Sequence, residues 1–228
     1  MRQDRIMLAH GSGGTMMRSL VEDVFVKHFD DPALAKMDDA ATLPAPGGRI
    51  AMSTDTYVVK PLFFPGADIG RLAVCGTVND IATSGATPLY ISVGFVLEEG
   101  LEVADLDRIL ESMAAAAKEA GVRIVTGDTK VVEQGKGDGV YVTTTGVGVV
   151  PPGIVLDGAA AREGDAILVS GTMGDHGVAI MSKRENLEFE TEILSEARRC
   201  TGSPLRCSAC ARRRACCAIR PGAASRRR

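Results

Sequence analysis

Apolar positions recur every three or four residues from Val103 to Ala120. Val103, Leu106, Ile109, Leu110, Met113 and Ala117 share one face, and Gly121 follows. That spacing predicts an amphipathic helix with a glycine stop. A second predicted helix runs from Thr15 to Phe29, with Met16, Leu20, Val24 and Phe25 on one face and Glu22 and Asp23 on another. Asp68 stands where a cap is needed for a helix from Ile69 to about Ser84, closed by Gly85. A fourth helix is predicted near His176 to Arg184. Short alternating or continuous apolar runs predict strands at Ile50–Ser53, Leu89–Leu97, Val122–Thr126, Val140–Val150 and Ala166–Ser170. Pro61–Pro65 reads as an apolar loop, and Pro151-Pro152-Gly153 as a break and domain boundary. Helices and strands alternate, which points to an α/β or α+β class and excludes an all-helical bundle or a sandwich. No internal repeat is found.

Composition adds a division the pattern does not show. Of the 228 residues, 45% are hydrophobic and 24% charged, enough for a packed core. The net charge of −3 hides two unlike parts. Residues 1–196 hold 16 Lys and Arg against 29 Asp and Glu, whereas residues 197–228 hold ten Arg and no acid. The acidic body disfavours a nucleic-acid surface and suits a metal-using enzyme. No apolar run reaches the roughly 18 residues that span a bilayer. The N-terminal stretch turns to glycine before a signal-like segment develops, so a cytoplasmic protein is expected. Only Cys75 lies in the body, in keeping with a reducing compartment. Cys200, Cys207, Cys210, Cys216 and Cys217 crowd the tail.

Candidate chemistry gathers at glycines and aspartates. Gly11, Ser12, Gly13 and Gly14 precede a predicted helix, where backbone N–H groups can approach a phosphate. No Gly-Lys-Ser/Thr follows, so the loop is not a P-loop. Asp38 and Asp39 precede an apolar stretch, Asp55 and Asp128 stand at predicted strand ends, and Asp80 follows Asn79 in a helix. Carboxylates in such contexts must be paired, coordinated or solvated. Gathered together, they can hold Mg²⁺ ions that in turn bind phosphates. Lys130 can pair with a phosphate or a nearby nucleophile. Cys75 reads as core. His28 reads as surface, and His10 and His176 as turn histidines without metal-ligand spacing, His176 beside a cleft.

Seven segments taken together carry a family likeness. They are Ala9–Gly14, Ser53–Val59, Pro61–Gly66, Cys75–Asp80, Gly94–Gly100, Val125–Val132 and Gly174–Gly177. From about residue 6 to 196 the chain resembles the HypE family of hydrogenase maturation proteins. That family belongs to the PurM-like ATP-binding superfamily, with aminoimidazole ribonucleotide (AIR) synthetase, selenide water dikinase and thiamine-monophosphate kinase. The resemblance implies an α+β fold. Residues 1–150 would form a PurM-like N-terminal ATP-binding domain whose sheet pairs two copies into a homodimer. Residues 151–196 would begin a second PurM-like domain, and 197–228 would be a disordered Arg/Cys-rich tail. ATP would bind near the dimer boundary. Asp38 or Asp39, Asp55, Asp80 and Asp128 match the acidic positions that hold Mg²⁺ and nucleotide, with Asn79 beside them, and Gly11–Gly14 would close over the phosphates.

The chemistry implied is that of a carbamoyl dehydratase. A C-terminal cysteine accepts a carbamoyl group, ATP activates the thiocarboxamide oxygen, and loss of phosphate leaves a thiocyanate that supplies cyanide to a [NiFe] hydrogenase. Lys130 would sit near the modified thiol. The implied partners are the carbamoyltransferase HypF and the HypC–HypD scaffold, with no nucleic acid and no membrane. Selenophosphate synthetase-like or AIR synthetase-like chemistry is the enzymatic alternative, and a non-catalytic dimerising remnant the other. The tail departs from the family. A codon run compatible with Ala215 to Arg226, read one frame over, gives Met-Leu-Arg-Asp-Pro-Thr-Arg-Gly-Gly-Leu-Ala, which contains a motif of the HypE second domain. The tail is therefore expected to be a shifted reading frame. A chain without the terminal cysteine is expected to lack dehydration activity. Zinc binding by the tail cysteines and RNA binding by its arginines are the alternatives.

Overall fold

The computed structural model describes residues 4–37, 40–44, 47–156, 163–165, 174–185, 194–195 and 197. The predicted strand Ala166–Ser170, Asp38, Asp39 and the arginine-rich tail beyond Ala197 lie outside the described residues. After a single 3₁₀ turn at Leu8–Gly11 the chain enters α1 (Gly14–Leu20), continues through π-helical turns at Val21–Val26 and ends in α2 (Lys27–Phe29). The predicted helix from Thr15 to Phe29 is thus present with an irregular middle. Leu20, Val24 and Phe25 are buried as its apolar face requires.

Four strands make the main sheet, β1 (Arg49–Tyr57), β4 (Thr87–Glu98), β5 (Arg123–Val132) and β6 (Val140–Val150), in the order β1-β6-β4-β5. β6 pairs antiparallel with β1 and β4, and β5 pairs parallel with β4. The parallel pair needs a crossover, and α4 (Val103–Ala120) supplies it. Its bounds match the predicted helix, and Gly121 follows at φ +70°, the left-handed stop that glycine allows. α3 (Ile69–Thr83) begins where Asp68 accepts N–H bonds from Gly70 at 2.7 Å and Arg71 at 3.0 Å. The expected apolar loop at Pro61–Pro65 folds instead into a two-residue hairpin, β2 (Phe63–Phe64) with β3 (Ala67–Asp68). α5 (Asp175–Glu185) follows as predicted to within a residue at each end.

The core lies between α3, α4 and one face of the sheet. Ile91, Val93, Phe95 and Leu97 of β4 meet Ile69, Val74, Leu106, Ile109 and Leu110 there. Phe25 reaches the same face, its ring 5.2 Å from that of Phe95. Burying a Leu or Ile side chain contributes about 1.5–3 kcal/mol, so this layer sets the helices on the sheet. The opposite face carries threonine pairs, Thr54 with Thr145 at 2.8 Å and Thr56 with Thr143 at 3.1 Å. Ile50 and Met52 stand beside them, 65% and 69% exposed.

The strands run further than their apolar runs. Asp55 and Asp128 are not strand ends but lie inside β1 and β5. Ladder pairing with a neighbouring strand outweighs the poor strand preference of Asp and Gly. β5 also carries a bulge: Ile91 pairs with Ile124 and Ser92 with Thr126, leaving Val125 as the extra residue. Ile124 and Val125 are both buried, and the alternation resumes one step out of phase. Among the described residues no helix is long and apolar enough to cross a membrane.

Candidate functional site

Two groups of predicted site residues form, at opposite edges of the sheet. At the β1 edge, Ser53, Asp55 and Tyr57 share the face turned towards α3. α3 sets Thr77 and Asp80, three residues apart on one face, against them, while Asn79 is buried on another side of the helix. The Ser53 hydroxyl donates to the Asp80 carboxylate at 3.2 Å. Burial pushes the Asp80 carboxyl above its ordinary range, the Ser53 bond opposes this, and the charge on Asp55 adds to the rise. The two carboxylates thus repel one another, Asp80 eased by the Ser53 hydroxyl and Asp55 by the Thr56 N–H at 2.8 Å. Burial and the fields of Asp55 and Asp80 keep the Tyr57 hydroxyl protonated well beyond the usual tyrosine range. A cleft of about 320 Å³ opens alongside, lined by Arg49, Met52, Ser53, Asp80, Ser84 and Leu156 among others.

At the β5 edge, Asp128 and Lys130 form an exposed ion pair at 3.3 Å, their side chains 68% and 64% accessible. The glycine loop sits against the same strand. A Cβ on Gly11 would come within 2.5 Å of the Val131 backbone nitrogen, so only glycine allows the loop this close. Ser12 turns its hydroxyl back to the carbonyls of Leu8 and Ala9, at 3.4 and 3.3 Å. Gly13 and Gly14 have φ of +80° and +77° and open space about them. Gly13 caps α1 without any side-chain bond to the helix N–H groups. The loop therefore presents backbone donors, which is what a phosphate requires.

The sheet keeps these groups apart. Asp55 is in register with Thr144, Val93 and Gly127, whereas Asp128 is in register with Gly94, Thr143 and Thr56. The two rows are adjacent, so the two carboxylates point to opposite faces. Three strand spacings, about 14 Å, separate the edges. Asp38 and Asp39 lie outside the described residues. Among the described residues no group of three or more His, Cys, Asp or Glu is placed to hold a metal ion. The pair Asp55 and Asp80 is still a fit for Mg²⁺, which is commonly held by one or two carboxylates with phosphate and water completing the shell.

The histidines differ from their expected roles. His10 is buried, and its Nδ1 accepts the Met7 N–H at 2.9 Å. His28 is not a free surface residue, because its Nε2 meets Asp107 at 3.1 Å. His176 stands edge-on to Phe64 at 5.4 Å, with Nδ1 3.0 Å from the Ser195 hydroxyl. Cys75 is in the core, as expected. Ser53, Tyr57, Thr77 and Thr144 were not singled out from sequence, although a lone Thr77 within the apolar run Val74–Val78 signals a buried hydroxyl that needs a partner.

The sequence profile of the AIR synthase related protein, N-terminal domain, matches residues 37–150, which include β1, α3 and β4–β6. The chain belongs to the AIR synthase related family. Within it, the carbamoyl dehydratase HypE of Cupriavidus necator is 62% identical over 197 residues, 86% of this chain and 56% of that protein. A crystal structure of the hydrogenase maturation protein HypE in complex with ATP matches with a TM-score of 0.82 at 51% identity, over 85% of this chain and 57% of that one. A HypE–HypF complex matches with a TM-score of 0.65 at 52% identity, over 79% and 58%. The expected likeness to HypE and the mixed α+β fold are borne out. This AIR synthase related chain spans little more than half the length of the HypE relatives it matches.

Proposed function

We propose that this chain supplies the nucleotide-binding half of an ATP-dependent carbamoyl dehydratase of hydrogenase maturation, working as a homodimer in the cytoplasm. One observation carries the reading. The residues suited to a cation and those suited to phosphates stand on opposite faces and opposite edges of one sheet. Two copies meeting through their threonine-rich outer faces would bring the Asp128–Lys130 edge of one to the Asp55–Asp80 edge of the other. Asp55 and Asp80 would hold Mg²⁺, whose part is to neutralise phosphate charge. Gly11–Gly14 would cradle the phosphates with backbone N–H groups, and Lys130, released from Asp128, would face the transferred phosphoryl group. These are positioning and charge-neutralising roles, which is what phosphoryl transfer asks of a protein.

The similarity to a HypE crystallised with ATP supports the nucleotide, and that to one crystallised with HypF supports HypF as a partner, whereas the HypC–HypD scaffold rests on the family resemblance alone. In HypE the carbamoyl group is expected on a C-terminal cysteine, a role assigned to none of the cysteines here. A cytoplasmic location suits Cys75, a buried thiol. The test is calorimetric titration of the 228-residue chain with ATP, with and without Mg²⁺, beside its Asp80→Asn and Asp128→Asn variants. Mg²⁺-dependent binding lost in both variants is expected. Binding that ignores Mg²⁺, or survives both substitutions, would sink the proposal.

A further inference from the structure

A chain of buried hydroxyls runs beneath the carboxylate pair. Thr144 donates to the Ala73 carbonyl at 3.3 Å. A threonine hydroxyl has one proton. The 2.5 Å bond between Thr77 and Thr144 must then carry the Thr77 proton. The 3.3 Å contact between Tyr57 and Thr77 in turn carries the Tyr57 proton. The chain therefore has one direction, from Tyr57 through Thr77 and Thr144 to a helix carbonyl. Thr77 and Thr144 are fully buried and Tyr57 nearly so. α3 is stripped to glycine where the tyrosine docks, since a Cβ on Gly76 would lie 2.2 Å from the Tyr57 hydroxyl.

The position of this chain matters more than its strength. Two bonds tie β1 to α3, one on each side of Asp55: Ser53 to Asp80, and Tyr57 to Thr77. Thr144, the cross-strand partner of Asp55, ties β6 to the same helix. Asp55 lies between the two bonds along β1, and Asp80 lies one helical turn beyond Thr77. We propose that Tyr57, Thr77 and Thr144 are positioning residues that fix the spacing of Asp55 and Asp80 to suit a cation as small as Mg²⁺. This rests on the reading of Asp55 and Asp80 as cation ligands. Mg²⁺ demands oxygens at about 2.0–2.1 Å in near-octahedral geometry, whereas Ca²⁺ accepts about 2.3–2.6 Å and a looser shell. A pair allowed to drift apart loses Mg²⁺ first.

The test is the affinity of the full chain for ATP, measured by calorimetry in Mg²⁺ and separately in Ca²⁺, alongside thermal unfolding. Tyr57→Phe keeps the ring, Thr144→Val keeps the shape without the hydroxyl, and Thr144→Ser restores the hydroxyl. Tyr57→Phe and Thr144→Val are expected to weaken Mg²⁺–ATP by about tenfold, as loss of outer-shell partners does, and Ca²⁺–ATP by less than about twofold. Thr144→Ser is expected to keep the native preference. A merely structural role would lower the unfolding temperature and leave the Mg²⁺ to Ca²⁺ ratio unchanged, and that result overturns the inference alone. A native chain whose ATP binding needs no divalent cation overturns the underlying reading and the inference with it.

Discussion

Asp55 and Asp128 occupy adjacent rows of one sheet and point to opposite faces of it. No rotation of either side chain brings the two carboxylates to one cation within a single copy of the chain. Whatever joins them must come from a second copy, or they serve different atoms of one ligand.

Mixing two damaged chains distinguishes these cases. In the proposed homodimer, the Asp55→Asn and Asp128→Asn chains are each expected to lose Mg²⁺-dependent ATP binding when pure. Unfolded and refolded together, half the dimers would be mixed, and each mixed dimer would hold one intact site, so about a quarter of the native sites should return. Equilibrium binding stoichiometry checks this. No recovery would place both carboxylates in service of the same chain's site.

Asp80→Asn should exchange function for stability. Burial first, and then the Asp55 charge, raise the folded-state pKa of Asp80 against the Ser53 bond. A raised carboxylate pKa means that the folded protein binds more protons than the unfolded chain. Stability is therefore fullest while Asp80 is neutral, and falls as the pH climbs from the ordinary value of 3.8 through the folded value. At pH 7 without divalent cations the asparagine variant should be more stable by a few tenths to about 1 kcal/mol, allowing for solvent screening. The gain should vanish in acid, as urea titrations at both pH values would show.

Gly76→Ala should reveal the contact with Tyr57. In an open helix alanine would be favoured by about 1 kcal/mol. Here the added methyl lies 2.2 Å from the tyrosine oxygen, and overpacking of this kind costs about 1–3 kcal/mol. In a Tyr57→Phe background much of that cost should disappear. A double-mutant cycle by chemical denaturation is expected to give a coupling of about 1 kcal/mol or more, and additive effects would refute the packing described.

The ion pair of Asp31 and Arg123 anchors the loop after α2. Arg123 donates from Nε at 2.7 Å and from a terminal nitrogen at 3.0 Å, while the Ala33 N–H adds a third bond at 2.8 Å. Burial alone would push the Asp31 carboxyl up, but these bonds together hold it below its ordinary range. A lowered pKa stabilises the fold above 3.8 and ceases to do so as the pH falls through the folded value. Asp31→Ala should cost about 2 kcal/mol at neutral pH, with the difference shrinking in acid. A cost independent of pH would point to packing instead of charge.

The sequence was most readable where one periodicity ran unbroken. α4 and β6 kept their predicted bounds because the Leu106–Met113 stripe is unbroken and Val140–Val150 is built of Val and Thr with only Tyr141, Gly146 and Gly148 between. β1 and β5 were read short, since Asp55 and the Gly127-Asp128 pair look like stops to any local rule. Only pairing with β6 and β4, distant in sequence, carries the strands through them. The acidic candidates were found by residue type, but their division between two faces is a property of register. The hydroxyl chain was missed because threonines in a Thr-rich strand announce β preference as readily as hydrogen bonding.

The extra residue at Val125 bears on how this family can be compared. Strand phase is binary, so in a β5 that kept Val125 but ran regularly from Ile124 every later side chain would be turned over. Asp128 and Lys130 would be driven in against the helices, and Gly127 and Thr129 would come out. The bulge absorbs one residue, so a relative that is one residue shorter here and lacks the bulge keeps its matching aspartate on the same face as Asp128. A relative of equal length without the bulge carries that aspartate on the opposite side of the sheet. Transfer of ligand assignments between relatives is sound only where the strand register, and not merely the length of this short segment, is shared.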